Sequence, residues 1–318
     1  MARDTDDPDT DDLFDTRPRG FPPVIQRILE AAHDIGLDRP DDIAFQHAVL
    51  CQTCLPYRAP APDVRAWERT NGRVALRIEA GSSFHPEHGF QQQPLPAGPK
   101  ARLILMHLNG EALRQGSAVI EVEDSLTAFV RNIQGTMPNG REIRRYKEQL
   151  AALSVSTIRL AVAIGDDHAH QINTQIVSGL DLWAPKDDRQ RVLWPSTVEL
   201  SAAYFDSLTR HAVPLDMRAV AALAHSAMSL DILTWLSQRL HRVKPGKPAF
   251  VPWAAMHWQF GAGYQQIRYF RREFRTALRQ ALAVYPEAKV EADQRGLTLR
   301  HSPPPVAPRH QITAPREF

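Results

Sequence analysis

Residues 265–283 constrain this chain more than any other stretch, because two stripes of side chains are interleaved there at helical spacing. Positions three and four apart share one face of a helix. The apolar stripe consists of Ile267, Phe270, Phe274, Ala277, Leu278 and Ala281, and the basic stripe of Arg268, Arg271, Arg272, Arg275 and Arg279. At about 100° per residue, the two stripes lie roughly 130° apart. The pattern predicts a helix that buries one side against a core and exposes five guanidinium groups on another.

The exposed arginines indicate an anionic partner. Glu273 is the only acidic residue in this stretch, so the five positive charges are largely unopposed along the helix. Like charges on one face repel each other unless an anion lies across them, and the phosphate backbone of DNA has the required charge density. A solvated arginine face on an ordinary surface helix is the alternative interpretation.

The flanking segments favour DNA binding. Residues 251–260 predict a short helix with Pro252 in its first turn, and residues 261–263, Gly-Ala-Gly, predict a turn between two helices. Residues 288–293 and 297–300 alternate between apolar and polar side chains and predict a β-hairpin. Helix, turn, basic helix and hairpin is the order of a winged helix, whose second helix enters the major groove. The hairpin would contribute a basic wing, formed by Lys289, Arg295 and Arg300.

The middle of the chain predicts the same order once more. Helices are predicted over residues 101–113, 126–133 and 140–153, and strands over residues 117–122, 156–164 and 172–182. The third of these helices has a second basic face, formed by Arg141, Arg144, Arg145 and Lys147. We therefore expect an α+β, mostly helical chain with two tandem winged-helix domains and short β-hairpin wings, over residues 21–185 and 195–302.

The remaining segments predict simpler elements. Helices are predicted over residues 22–35, 202–210, 216–228 and 229–243, a half-buried strand over residues 73–80 and a loop over residues 81–98. Ser125 and Ser201 precede helical stretches and are candidate N-caps.

The formal net charge of +2 conceals an asymmetry. Residues 1–16 contain seven aspartates and one arginine, a net charge of −6, so the other residues together have a net charge of +8. We expect residues 1–20 to be a disordered acidic tail and residues 303–318 a proline-rich tail. The acidic start has no secretory signal and no apolar run reaches about 18 residues, which predicts a cytoplasmic protein with no membrane partner.

Two motifs contain residues that could bind a metal ion. Cys51 and Cys54 form a CxxC pair, and with His85 and His88 they would supply the four ligands of a zinc site. The separation between the two pairs is about twice the usual one, so two small, half-buried thiols in a reducing cytosol are the alternative interpretation.

His168-Ala169-His170 resembles the His-hydrophobe-His pair of nicking enzymes, in which two imidazoles hold a metal beside a nucleophilic tyrosine. Such a pair belongs on a buried strand, whereas these histidines fall at a predicted hairpin tip with no tyrosine nearby in the sequence. The glycines of residues 261–263 do not form a dinucleotide fingerprint, because Gln266 occupies the position of the third glycine. The sequence therefore predicts no catalytic residues, no cofactor and no metal.

Several long segments resemble plasmid-encoded RepA replication initiators. They are residues 45–58 (FQHAVLCQTCLPYR), 117–129 (SAVIEVEDSLTAF), 211–216 (HAVPLD) and 253–304, which includes the strings QFG and SPP. The resemblance covers roughly residues 45–306. It implies a non-enzymatic protein that binds repeated double-stranded DNA sites at a plasmid origin through two winged-helix domains.

The resemblance also implies partners. Related initiators exchange between monomer and homodimer and help to recruit the host replication initiator and helicase machinery. Their C-terminal domain commonly makes the main major-groove contacts, which here corresponds to the arginine-rich helix. Two other functions remain open at this point: a winged-helix transcriptional repressor without origin function, and a nicking endonuclease that uses His168 and His170.

Overall fold

The computed structural model describes residues 21–85, 87–123, 125–164, 168–179 and 197–307. Both predicted tails, apart from residues 303–307, and the predicted boundary at residues 185–195 lie outside this part. The described part of the chain is a mixed α/β structure that combines α-helices with small antiparallel sheets. The fold class predicted from the sequence is thus confirmed at the level of helices combined with short antiparallel strands.

The described part of the first half combines five helices with nine short strands. In chain order its elements are α1 (Pro23–Leu37), β1 (Ile43–His47), α2 (Ala48–Gln52), β2 (Ala66–Asn71), β3 (Val74–Glu79), β4 (Ser82–His85), β5 (Gly89–Gln92), α3 (Gly98–Gln115), β6 (Val119–Glu121), α4 (Leu126–Gln134), α5 (Gly140–Val155), β7 (Thr157–Ile164), β8 (His168–Gln175) and β9 (Val177–Gly179).

The second half has longer helices and ends in a small sheet. Its elements are β10 (Thr197–Leu200), α6 (Ala202–His211), β11 (Ala212–Asp216), α7 (Met217–Ala222), α8 (Ala227–Arg239), a 3₁₀ turn (Leu240–Arg242), β12 (Ala249–Pro252), α9 (Trp253–Phe260), α10 (Ile267–Ala283), β13 (Val290–Ala292) and β14 (Gly296–Leu299).

Side-chain caps fix where several helices begin. The Ser125 side chain accepts a hydrogen bond from the Ala128 amide at the start of α4, and Ser201 caps α6 in the same way, as predicted. Helix α5 begins with a complete capping box between Asn139 and Glu142. The basic face of α5 is therefore displayed on a helix with a well-defined first turn.

The described strands form five antiparallel sheets. The largest has the order β2-β3-β7-β8, and two three-stranded sheets have the orders β6-β10-β9 and β12-β14-β13. Two-stranded sheets join β1 to β11 and β4 to β5. In the largest sheet, Leu76 and Ile78 of β3 are completely buried, so this sheet covers one side of the core.

Strands from the two halves of the chain pair with each other. In the β1–β11 pair Ile43 lies opposite Asp216, and in the β6–β10 pair Ile120 lies opposite Val198. One buried hydrophobic cluster includes side chains from both halves. The predicted division into domains over residues 21–185 and 195–302 stays a prediction, and any such domains share strands and core.

A buried ion pair also joins the halves. Arg102 of α3 is 1% exposed and donates to both carboxylate oxygens of Asp231 in α8, at 2.7 Å each. Its remaining N–H groups donate to the backbone carbonyls of Leu55, Pro56 and Gly98 at 2.8–3.2 Å. All five donors of the guanidinium are therefore satisfied. This arrangement fixes α3, α8 and the segment after α2 relative to one another.

The order of elements repeats along the chain. Helix, strand, two helices and a hairpin occur first as α3-β6-α4-α5-β7-β8 and again as α8-β12-α9-α10-β13-β14. In each copy the helix that precedes the hairpin is the basic one, α5 or α10. The repeat of architecture expected from the sequence is present as an order of elements. In each copy a strand lies between the first and the second helix: β6 was predicted from the sequence, and β12 was not.

Several sequence predictions were wrong in detail. Residues 81–98 are not a simple loop, because they contain the β4–β5 hairpin, in which Phe84 lies opposite Phe90. Pro252 does not lie in a helical turn but ends strand β12 and precedes α9. The helix predicted over residues 216–228 ends at Ala222. The strand predicted over residues 172–182 is divided between β8 and β9.

Gly296 allows β14 to lie against β12. A Cβ at this position would overlap the carbonyl oxygen of Val251 and lie 2.9 Å from the Cα of Pro252. Gly296→Ala is therefore expected to lower the free energy of unfolding by about 1–3 kcal/mol, the range for overpacked sites. Gly36→Ala is the matched control, because no atom lies within 4 Å of the added methyl group, and it should be neutral or stabilise by about 0.4–1 kcal/mol. Urea unfolding of both variants measures the difference, and equal midpoints would contradict the close approach.

Among the helices that the structure describes, none combines the length and the apolar character needed to cross a bilayer.

Candidate nucleic-acid interface

Helix α10 has the amphipathic form predicted from its stripes. The buried side consists of Phe270, Phe274, Ala277, Leu278 and Ala281. Ile267 was wrongly included in this stripe: at the first position of the helix it is 37% exposed. The buried phenylalanines contact Trp253, with ring centroids 6.5 Å and 5.8 Å away, and so hold α10 against the start of α9.

The five arginines of α10 do not have equal surroundings. Arg268, Arg272, Arg275 and Arg279 are exposed, whereas Arg271 is only partly exposed. The Nε atom of Arg271 is buried, with no hydrogen-bond partner among the described residues. The basic stripe is therefore exposed as predicted, except at its innermost member.

Arg271 and Arg275 lie on the indole ring of Trp253. Their guanidinium carbons are 5.5 Å and 5.3 Å from its ring centroid, within the range of a cation–π interaction. Arg275 also donates to the Asp293 carbonyl at 2.6 Å, and Trp253 Nε1 donates to the same oxygen at 3.0 Å. Because Asp293 begins the turn of the hairpin, these contacts attach the wing to α10.

The wing is organised by Asp293. Its carboxylate accepts hydrogen bonds from the amides of Arg295 and Gly296 at 2.7 Å and 2.8 Å. The Gly296 and Arg295 backbone bonds, followed by the Arg295 charge, lower the pKa of this carboxyl. Of the three predicted wing cations, Lys289 is exposed, while Arg295 lies 3.7 Å from Asp293 and Arg300 lies 3.2 Å from Glu291. Two of the three are thus partly neutralised within the wing.

The second predicted contact surface is also exposed. Arg141, Arg144, Arg145 and Lys147 all lie on the outer side of α5. Two cations near this surface, Arg27 of α1 and Lys100 of α3, were not predicted from the sequence. The pKa of Lys100 is lowered, mainly by burial and in smaller part by the charges of Arg145 and Arg27. Arg27 is therefore close enough to affect Lys100, but Lys100 itself is largely buried and lies 3.8 Å from Glu142.

Two aromatic residues of this region were also missed by the sequence analysis. Tyr269 is 44% exposed and lies between Arg268 and Arg272, whose guanidinium carbons are 4.7 Å and 5.7 Å from its ring centroid. Trp253 was assigned to a helix without a role. The position of Tyr269 between two arginines of the basic stripe could have identified it in the sequence as a candidate contact residue.

The cysteines form no zinc site with the histidines. Cys51 and Cys54 are 2% and 3% exposed, and burial, followed by the negative charge of Asp231, raises the pKa of both thiols. Zinc binds thiolates, so two neutral buried thiols are the interpretation that the structure favours. Across the ranges that the structure describes, no three His, Cys, Asp or Glu side chains are grouped so that they could hold a metal ion.

The histidines of the HxH motif are not at a hairpin tip. Strand β8 begins at His168, so the backbone of both His168 and His170 is part of a strand, paired with Ile164 and Val162 of β7. The turn itself, residues 165–167, lies outside the described part of the chain. In the described sheet β8 is an edge strand.

The fold of this chain is similar to known structures. Two crystal structures of domains 2 and 3 of RctB resemble this chain. The selenomethionine derivative has a TM-score of 0.50 at 7% sequence identity, over 80% of this chain and 98% of that one. The second has a TM-score of 0.48 at 8% identity, over 79% and 94% of the two chains. No curated protein sequence matches the chain significantly.

The mixed helical and small-sheet architecture is thus shared with the RctB domains of the selenomethionine structure. Residues 100–254 match the family model described as plasmid encoded RepA protein. This match covers slightly less than half of the chain, and it confirms the resemblance to plasmid-encoded RepA proteins that was noted in the sequence. The matched region runs from α3 to the start of α9, so α10 and the wing lie beyond it.

Proposed function

We propose that this protein initiates plasmid replication by binding repeated double-stranded DNA sites at the origin through two winged-helix units. Helix α10 would enter the major groove, and the β13–β14 wing and the basic face of α5 would contact phosphates. The observation that carries the proposal is the exposed arginine face of α10, beside a hairpin that is attached to it through Trp253 and Asp293. The repeated order of elements and the RepA family support it.

The DNA-binding residues of this proposal are the basic side chains of α10, the wing and α5. They are Arg268, Arg271, Arg272, Arg275, Arg279, Lys289, Arg295, Arg300, Arg141, Arg144, Arg145 and Lys147. On the strength of the family, we extend the proposal to a cytoplasmic, non-enzymatic protein. It exchanges between monomer and homodimer and helps to recruit the host initiator and helicase.

Salt dependence tests the DNA-binding part of the proposal. If about five phosphates are neutralised, the logarithm of the affinity for a 30-base-pair duplex should fall with the logarithm of the salt concentration at a slope of about −4 or steeper. The triple variant Arg268→Ala/Arg272→Ala/Arg279→Ala should lose affinity by roughly 100-fold or more, because three charged contacts disappear. Fluorescence anisotropy at several salt concentrations measures both quantities.

Arg77→Ala is the matched control for charge removal. Arg77 lies on the four-stranded sheet and is already paired with Glu68 at 3.0 Å and Glu79 at 2.9 Å, so its loss should leave DNA affinity within about twofold. A flat salt dependence, or equal affinity of the triple variant and the Arg77 control, would refute the α10 interface.

The origin function needs a separate test. The gene and its flanking DNA, introduced into a host that lacks the plasmid, should replicate autonomously if the protein is an initiator. A transcriptional repressor with the same DNA-binding surface would bind the flanking DNA but would not sustain replication. A covalent tyrosyl–DNA product that forms with Mg²⁺ and is lost in His170→Ala would instead identify a nicking enzyme.

A further inference from the structure

The first turns of a recognition helix are the part that contacts base edges in helix-turn-helix proteins. In α10 these turns contain Arg268, Tyr269, Arg271 and Arg272. At about 100° per residue, Arg272 lies roughly opposite the centre of the buried stripe, and Arg268 and Tyr269 lie to either side of it. These three side chains therefore form the outermost part of the helix near its N-terminus.

The contacts within this group restrain it before any ligand binds. Arg268 Nη2 donates to Tyr269 Oη at 3.0 Å, and both neighbouring guanidinium groups lie within 6 Å of the Tyr269 ring centroid. Arg272 Nε donates to Glu273 at 3.0 Å, which leaves its Nη1 and Nη2 donors for another acceptor. An arginine fork with restricted rotamers loses less entropy when it binds.

Arg271 and Arg275 have other contacts, on the side of the helix that faces α9 and the wing. Both lie on the ring of Trp253, which is 1% exposed, and Arg275 also donates to the wing carbonyl of Asp293. To reach a base, Arg271 would have to leave the Trp253 ring, and Arg275 would also have to leave the Asp293 carbonyl that attaches the wing to α10. The same stripe thus contains two groups of arginines with different surroundings.

We propose that Arg268, Tyr269 and Arg272 form the base-reading surface of α10, whereas Arg275 is a positioning residue that fixes the wing and Arg271 packs on the Trp253 ring beside it. This inference rests on the proposed function. Arg272 fits the O6 and N7 acceptors of a guanine in the major groove, the pairing most used by arginine. The Tyr269 ring contributes its apolar edge to the neighbouring base or sugar. Arg279, about two turns further along the outer face, contacts phosphate.

Selection from a pool of randomised 30-base-pair duplexes tests the assignment with the full-length protein. The wild type should enrich a motif that contains guanine. Arg272→Ala should lower the preference for guanine at one position by about 5–150-fold, the range for loss of a bidentate base contact. Tyr269→Ala should relax the neighbouring position. Arg275→Ala should weaken binding to all duplexes while leaving the motif unchanged.

Amide hydrogen exchange provides the readout for positioning. Arg275→Ala should accelerate exchange at Arg295 and Gly296, whose amides donate within the wing turn, and Arg275→Lys, which retains a donor for the Asp293 carbonyl, should partly restore protection. Arg272→Ala should leave exchange in the wing unchanged. Circular dichroism confirms that each exposed-site variant is folded.

The outcomes separate this inference from the proposed function. If the wild type binds no duplex in a salt-dependent way, the proposed function fails. If the wild type binds duplexes without enriching a motif, or if Arg272→Ala and Tyr269→Ala retain the full motif, only the base-reading assignment is overturned. A motif that is relaxed by Arg275→Ala but not by Arg272→Ala would reverse the two roles.

Discussion

Asp231→Ala is expected to lower the free energy of unfolding by about 3–5 kcal/mol, the range for breaking one partner of a buried ion pair. The variant leaves the Arg102 guanidinium, 1% exposed, without the two carboxylate oxygens that accept its bonds at 2.7 Å. The three backbone carbonyls that remain cannot neutralise its charge. Urea unfolding of the full chain, followed by circular dichroism, measures the loss.

A double variant separates the charge from the packing. Arg102→Met/Asp231→Leu removes both charges and fills the space with apolar groups, a replacement that is often close to neutral. Here it also removes the donors to Leu55, Pro56 and Gly98, so we expect a loss of about 1–3 kcal/mol. The double variant should therefore be more stable than Asp231→Ala. If it is the less stable of the two, the pair stabilises the fold through geometry and not through mutual neutralisation.

The second large effect concerns acid. His47 is 1% exposed, and burial, followed by the charge of nearby His211, lowers its pKa to about 4. Its Nδ1 atom accepts a hydrogen bond from the Val49 amide at 3.2 Å, so the neutral ring has its proton on Nε2, which lies 2.9 Å from the Ser207 hydroxyl. A second proton would disrupt the cap of α2.

The sign of the effect follows from the two states of His47. Below a pKa of about 6.5 the unfolded chain binds a proton that the folded protein does not bind until about pH 4. Stability therefore decreases as the pH falls from about 6.5 to about 4, by about 3 kcal/mol in total, and this group has no effect at higher pH. Urea midpoints measured between pH 8 and pH 4 follow the decrease.

His47→Asn isolates this contribution. The asparagine side chain can still accept from the Val49 amide as an N-cap, but it does not titrate. The variant should be less stable than the wild type at pH 7.5 by about 1–2 kcal/mol, because the Ser207 bond is lost. The difference in free energy of unfolding between the wild type and the variant should become smaller, or change sign, as the pH falls towards 4. Parallel pH profiles for the two proteins would show that His47 does not control the acid response.

The amphipathic helix and its hairpin could be predicted from the sequence because both depend on local periodicity. The spacing of Phe270, Phe274 and Leu278 specifies one helix face whatever lies against it. The same holds for β3 and for the caps at Ser125 and Ser201. These elements were predicted correctly because each is determined by residues that are close in the sequence.

Short strands were missed because their partners are distant. Strand β1 (IAFQH) has no alternation of apolar and polar side chains, and only its pairing with β11 defines it as a strand. Strand β12 was assigned to the following helix because its last residue, Pro252, is also acceptable at a helix start. The β4–β5 hairpin was taken for a loop, because glycine, proline and glutamine dominate that segment.

The candidate site shows the same division. The spacing of the arginines predicted how many there are and which face of the helix they share. The contacts of individual arginines, such as Arg275, depend on Trp253 and Asp293, which belong to other elements. Periodicity places Arg271 beside the buried stripe and Arg272 opposite it, but it does not show that Trp253 is the partner of Arg271. The two differ because one side of the helix faces α9 and the wing, and that direction is set by tertiary packing.

The pairing of β1 with β11 has a consequence for synthesis on the ribosome. Strand β1 ends at His47, but the strand that pairs with it ends only at Asp216. At about 5–20 residues per second, the ribosome needs roughly 10–30 s to produce the intervening chain. During that interval β1 has an open edge and Arg102 lacks its carboxylate partner on α8, so the nascent first half exposes a strand that other chains can pair with. Slow translation between these strands should therefore increase the dependence of this protein on chaperones.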